Sequence, residues 1–165
     1  RKLADFTNCL YRAAKSGSKE ICTYIINQKF NVSYDKIFQK ISQNYGVSSE
    51  ILLLLFNNSG LKSESSIFLP LLRNSIRNSN KNFVEFLIER NIYYDECLID
   101  SIMYGSFYHN EIMKIILKHN SNSSFVNKVT SKGTALHVAV ERCYLNDVKL
   151  LLSIPSINPF ILNSK

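Results

Sequence analysis

One pattern recurs along this chain and limits what it can fold into. A polar or acidic residue leads a run of aliphatic residues, and a polar stop follows. It reads Glu20-Ile21-Cys22-Thr23-Tyr24-Ile25-Ile26, then Glu50-Ile51-Leu52-Leu53-Leu54-Leu55. It returns as Phe83-Val84-Glu85-Phe86-Leu87-Ile88, Glu111-Ile112-Met113-Lys114-Ile115-Ile116-Leu117 and Asp147-Val148-Lys149-Leu150-Leu151-Leu152. With Tyr24, Leu53, Phe86, Ile115 and Leu150 as equivalents, the copies lie 29, 33, 29 and 35 residues apart. A period near 33 is that of a repeat array, in which no unit buries its apolar face alone and stacking builds the core.

Each copy is predicted to be a helix. Val148, Leu151 and Leu152 fall at the i, i+3, i+4 spacing of one helical face. Stops follow at Asn27, Asn57-Asn58, Asn91, Asn120 and Pro155. A shorter helix precedes each copy. In the last unit it runs over 135–142, with Leu136, Ala139 and Val140 on the buried face; in the first unit Leu10, Ala13 and Ala14 share that spacing. The middle units offer Ile37, Phe38 and Ile41, then Leu71, Leu72, Ser75 and Ile76, then Leu98, Ile99 and Ile102. Small residues at the Ala13 and Ala139 positions let helices approach closely. The offsets put Ser42, Ser75 and Tyr104 there, so the fourth unit is expected to be distorted at Tyr104.

The stretch Lys132-Gly133-Thr134-Ala135-Leu136-His137-Val138-Ala139-Val140, with Asp147 to Leu152 after it, closely resembles the ankyrin-repeat motif. The first unit keeps Gly17 at the turn between its helices; the middle three resemble the motif in their second helix and period. The uneven units are similar to those of large protist ankyrin families. The resemblance implies an all-α helical solenoid of about five helix-turn-helix units with projecting hairpin loops, at roughly 6–31, 34–60, 66–91, 95–120 and 127–158. Residues 159–165 read as the start of a further repeat, because Asn163-Ser164-Lys165 echoes Thr130-Ser131-Lys132 at a distance of 33. The segment is therefore expected to belong to a longer array. Departures from the motif are Ala135 where Pro is common, Cys143 where the turn usually has Gly, and Gly133 directly before Thr134. The family's usual activity is protein binding, with no cofactor and no catalysis.

The motif makes Thr134, Leu136, His137, Ala139 and Leu151 structural. Thr134 caps the helix start, and the His137 ring hydrogen-bonds near it. The architecture gathers hairpin tips and the exposed ends of first helices on one concave face. By the repeat offsets this face presents Lys15 and Ser16, Asn44 and Tyr45, Arg77 and Asn78, Ser106 and Phe107, and Glu141 and Arg142, with Ser131 and Lys132 at the last tip. Tyr, Arg and Phe are enriched at binding hot spots.

No catalytic constellation emerges. The sequence holds no Gly-x-Ser-x-Gly elbow and no glycine-rich phosphate loop. Cys9, Cys22, Cys97 and Cys143 lack the close spacing of zinc sites and read as free thiols. His109 and His119 read as surface residues, so no metal is expected. The longest apolar run, Ile51 to Phe56, is far below the roughly 20 residues a bilayer span needs. An intracellular, cytoplasmic monomer is expected.

The net charge is +7, with its basic residues scattered among acidic ones. The leading reading is a non-catalytic scaffold that binds a peptide or folded protein; nucleic acid is not the expected partner. Two alternatives stand beside it: electrostatic binding of nucleic acid or anionic lipid through a basic face, and a targeting or regulatory segment of a larger enzyme.

Overall fold

The computed structural model describes residues 5–44, 46–104 and 109–162. These form eleven helices and no strand: α1 Thr7–Lys15, α2 Lys19–Asn27, α3 Tyr34–Ser42, α4 Ser49–Ser59, α5 Phe68–Arg77, α6 Lys81–Ile88, α7 Cys97–Tyr104, α8 His109–His119, α9 Ser123–Val126, α10 Ala135–Glu141 and α11 Leu145–Leu152. Apart from the single turn of α9, they alternate between two rows. In the first row α1 packs on α3, α3 on α5, α5 on α7 and α7 on α10. In the second α2 packs on α4, α4 on α6 and α6 on α8, and Asn110 of α8 donates to Asp147 of α11 at 3.4 Å. This is an all-α repeat solenoid.

Side-chain size explains the close first row. Leu10, Ala13 and Ala14 of α1 are buried, as are Ile41 and Ser42 of α3, Leu72 and Ser75 of α5, and Ala139 of α10. In α7 the small buried residue is Ser101, whose hydroxyl donates to the Leu98 carbonyl at 2.7 Å. Tyr104 ends that helix at the surface, 39% exposed. The expected distortion at Tyr104 is thus corrected: Leu98, Ser101 and Ile102 repeat the spacing of Leu72, Ser75 and Ile76, and the small position falls three residues before the one the offsets chose.

The burial expected of α10 also needs correction. Its buried face is Ala135, Val138 and Ala139, while Val140 is 57% exposed and Leu136 half-buried. Val140 lies roughly 200° around the helix from Val138, which packs inward. On α11, Leu151 is fully buried but Leu152 is exposed.

The units that resemble the motif least are held by aromatic rings. Phe38 meets Phe68 and Phe83 at centroid distances of 5.9 Å, and Phe86 meets Phe56 at 5.8 Å and Phe83 at 6.0 Å. Such pairs prefer these offset and edge-on geometries.

The turns between paired helices share a backbone device. Gly17, Gly46, Ser79 and Cys143 all have positive φ, at 77°, 103°, 53° and 57°. A left-handed residue is needed there whether or not it is glycine. Among the described residues, only residues 130–133 close a hairpin turn between successive pairs: Thr130 and Gly133 exchange two backbone hydrogen bonds of 3.0 Å. The 28–33 connection lacks a glycine and the 60–67 connection has one only at Gly60, the left-handed cap of α4; both run as irregular loops.

Asparagines do much of the stitching. Asn80 caps α6 by accepting from the Phe83 N–H at 3.3 Å, and its amide donates to the Ile41 and Asn44 carbonyls, each at 2.7 Å. Asn82 donates to the Val47 carbonyl at 3.2 Å. Asn127 donates to the Ser156 carbonyl at 2.8 Å and accepts from the Asn158 N–H at 2.7 Å. These bonds satisfy loop backbone groups that the helices leave unpaired.

Candidate functional site

The first row and the hairpin turn carry most of the positions expected to face a partner. Lys15 ends α1 and is exposed; Ser16, just beyond, donates its hydroxyl to the Ala13 carbonyl at 3.0 Å. Asn44 is half-buried and tied by its amide to the Lys40 carbonyl at 2.8 Å. Asn78 is similarly engaged with the Asn74 carbonyl at 2.8 Å. Both therefore spend their polar groups inside the fold. Tyr45, Gly105, Ser106, Phe107, Tyr108, the side chain of His109 and residues 163–165 lie outside the described residues.

The structure brings Arg77 of α5 and Lys132 of the hairpin turn together on Tyr104 of α7. The Arg77 guanidinium lies 4.7 Å from the centre of the Tyr104 ring, and the Lys132 ammonium lies 5.7 Å from it. Lys132 also donates to the Met103 sulfur at 3.0 Å. Cations held over an aromatic face gain from the ring quadrupole and are positioned by it. Met103, Lys132, Val138, Glu141 and Arg142 line an open recess of about 390 Å³. Arg77, Lys132, Glu141 and Arg142 were expected on this face; Ser131 is exposed on the same turn.

Met103 and Tyr104 were missed, for the register reason above. Counting from Ser101, they occupy the places that Arg77 and Asn78 hold relative to Ser75. The repeated Leu-x-x-Ser-Ile spacing was the available signal, and the second-helix count hid it.

A second cluster lies on the α5–α7 side. The Tyr94 hydroxyl donates to the Asp100 carboxylate at 2.6 Å, and Arg73 stands 3.5 Å from the same oxygen, 4.8 Å from the Tyr94 ring centre. Burial pushes the Tyr94 phenol far above its ordinary value, so it stays a donor. This triad is internally satisfied and serves to fix α7 against α5.

His137 accepts the Thr134 N–H on Nδ1 at 3.1 Å, while Thr134 Oγ1 accepts the His137 N–H at 3.4 Å. This is a reciprocal cap at the start of α10. Leu136 is half-buried beside it, and Ala139 and Leu151 are fully buried. Burial pushes the Cys22 thiol up to about 11 and the Cys97 thiol up to about 12, which removes the thiolate that nucleophilic chemistry requires. Cys9 and Cys143 are exposed. Among the described residues, no three His, Cys, Asp or Glu side chains gather as metal ligands, and no helix is long and apolar enough to cross a membrane.

Comparison with known proteins agrees with this architecture. A family model described as ankyrin repeats (3 copies) matches residues 72–161, more than half of the chain. No curated protein and no solved structure matches the chain.

Proposed function

We propose that this chain, which belongs to the ankyrin-repeat family, is a non-catalytic scaffold that binds a peptide or folded protein on the face made by its first helices and hairpin tip. Ankyrin repeats serve generally as protein-interaction modules. The observation that supports the reading here is the Arg77–Tyr104–Lys132 cluster, which draws side chains from α5, α7 and the 130–133 turn into one exposed group. Beside it, the recess under Met103 and Val138 offers apolar contact next to charge. Binding surfaces of this kind pair an anchor pocket with a polar rim.

A peptide-display selection with the chain as bait tests the reading. Selected peptides are expected to lose binding when Tyr104→Ala or Met103→Asp is introduced, and to keep it when Lys114→Ala is made on α8. Peptides that bind equally well to all of these variants would refute it.

A further inference from the structure

The charges of this protein are divided between its two rows. Along α2, α4, α6, α8 and α11, five basic residues meet five acidic ones. Three of the five basic residues are paired: Lys19 with Glu50 at 2.9 Å, Lys81 with Glu111 at 3.4 Å, and Lys114 with Glu111 at 3.0 Å. Along α1, α3, α5, α7 and α10, together with Lys132 and the cap residue Arg142, eight basic residues face three acidic ones. One of those three, Asp100, is taken by Arg73 and Tyr94. Among the described residues, Arg12, Lys15, Lys36, Arg77, Lys132 and Arg142 stand in no ion pair. The net charge of the chain thus gathers on the first row.

From this division we propose that the partner is an acidic protein segment, laid across the first row in extended form, with carboxylates recurring about every third residue. The proposal rests on the reading that the first row is the binding face. The spacing follows from geometry. Packed helices stand roughly 8–10 Å apart, and an extended chain advances about 3.3 Å per residue. Carboxylates three residues apart therefore meet the cations of α1, α3 and α5 in turn, and Lys132, held over Tyr104, supplies the charge at α7, which has no basic residue of its own. Among the described residues, Arg77 and Lys132, held by Tyr104, stand in no ion pair, and Glu141 is the one carboxylate lining the recess that Lys132 and Arg142 share. Protein rather than nucleic acid is favoured by the recess at the end of the strip, where Met103 and Val138 offer apolar lining that suits an aliphatic side chain. Cations already lie over three tyrosine rings in or beside the row: Arg73 over Tyr94, Arg77 over Tyr104, and Lys40 over Tyr11 at 5.3 Å. Those ring faces compete with base stacking rather than offering open platforms for it.

Fluorescence anisotropy with a labelled peptide bearing glutamate at every third residue tests the proposal. The comparison probes are its glutamine counterpart and a single-stranded oligonucleotide of the same charge. Arg77→Glu with Lys132→Glu is expected to weaken the acidic peptide about tenfold or more, whereas Lys19→Glu with Lys114→Glu, the same change of net charge on the second row, leaves it within about twofold. The glutamine peptide is expected to bind at least about tenfold more weakly than the acidic one. Equal loss in both double variants, or an oligonucleotide that binds as tightly as the peptide, overturns the proposal. Circular dichroism melts of both variants exclude unfolding as the cause. If display instead yields neutral peptides that still depend on Tyr104, the acidic assignment fails and the first-row reading stands. If no selected peptide depends on Tyr104, the first-row reading itself fails.

Discussion

Replacing Asn80 by alanine is expected to be costly for a polar residue in a loop. Its side chain makes three hydrogen bonds, two of them buried, that join α6 to the end of α3. Losing the cap on Phe83 N–H costs about 1 kcal/mol. The Ile41 carbonyl keeps a second partner, the Asn44 N–H at 3.1 Å, so its loss stands at the low end, about 1 kcal/mol. The Asn44 carbonyl loses a 2.7 Å bond and adds about 1–3 kcal/mol. Asn80→Ala should therefore destabilise the chain by about 3–5 kcal/mol, a fall in melting temperature of about 6–20 °C for a domain of this size. Thermal melts followed by far-ultraviolet circular dichroism measure it. Asn78→Ala is the control. Asn78 bonds mainly within its own helix, with a long 3.4 Å contact to the Ser42 carbonyl, so its loss should cost below about 1 kcal/mol. Asn80→Asp keeps the capping oxygen but removes both donors and sets a carboxylate against two carbonyls; it should be at least as damaging as alanine. If Asn80→Ala melts with Asn78→Ala, or if aspartate restores stability, the bridging role is wrong.

Three further outcomes follow from burial and backbone geometry. Leu151→Ala should cost about 2–5 kcal/mol, while Leu152→Ala one residue on should change stability little, because only Leu151 is buried; equal melting temperatures would contradict the packing of α11. Cys143→Gly should stabilise by up to about 1 kcal/mol, since position 143 has φ of 57°, and Cys143→Val should destabilise, because a β-branched residue tolerates that conformation worst. In a thiol titration of the native protein, Cys9 and Cys143 should react at once and Cys22 and Cys97 only as the chain opens; prompt reaction of all four would refute the burial.

The second helices were legible in the sequence because each carries more apolar residues than one face needs, and the period declared them equivalent. The first helices were legible where small residues mark the contact, as at Ala13, Ala14 and Ser75. The fourth unit misled because its equivalence was counted from the second helix, across a segment whose length varies. Val140 misled because its apolar character announces a face, but burial also requires a neighbour on that side. Asparagine is frequent in this sequence, but its number alone names no role. Its meaning lies in which carbonyls Asn80 and Asn127 reach across roughly one unit of chain, and that becomes visible only once the helices are stacked. Of the surface, Arg77 and Lys132 could be named from offsets, but their meeting on Tyr104 depends on the shorter spacing of α7.

The two-row packing has a consequence for how such a chain can change over time. First helices lean on their neighbours in the row, and α1, α5, α7 and α10 lean on their own second helices as well. A duplication or loss of one pair therefore changes the interfaces only where it falls and alters the strip of exposed cations by a single step. Selection can lengthen, shorten or re-letter what the surface reads without redesigning a core. Such a stack tolerates unlike units: Phe38, Phe68 and Phe83 hold the middle, where the motif is least regular.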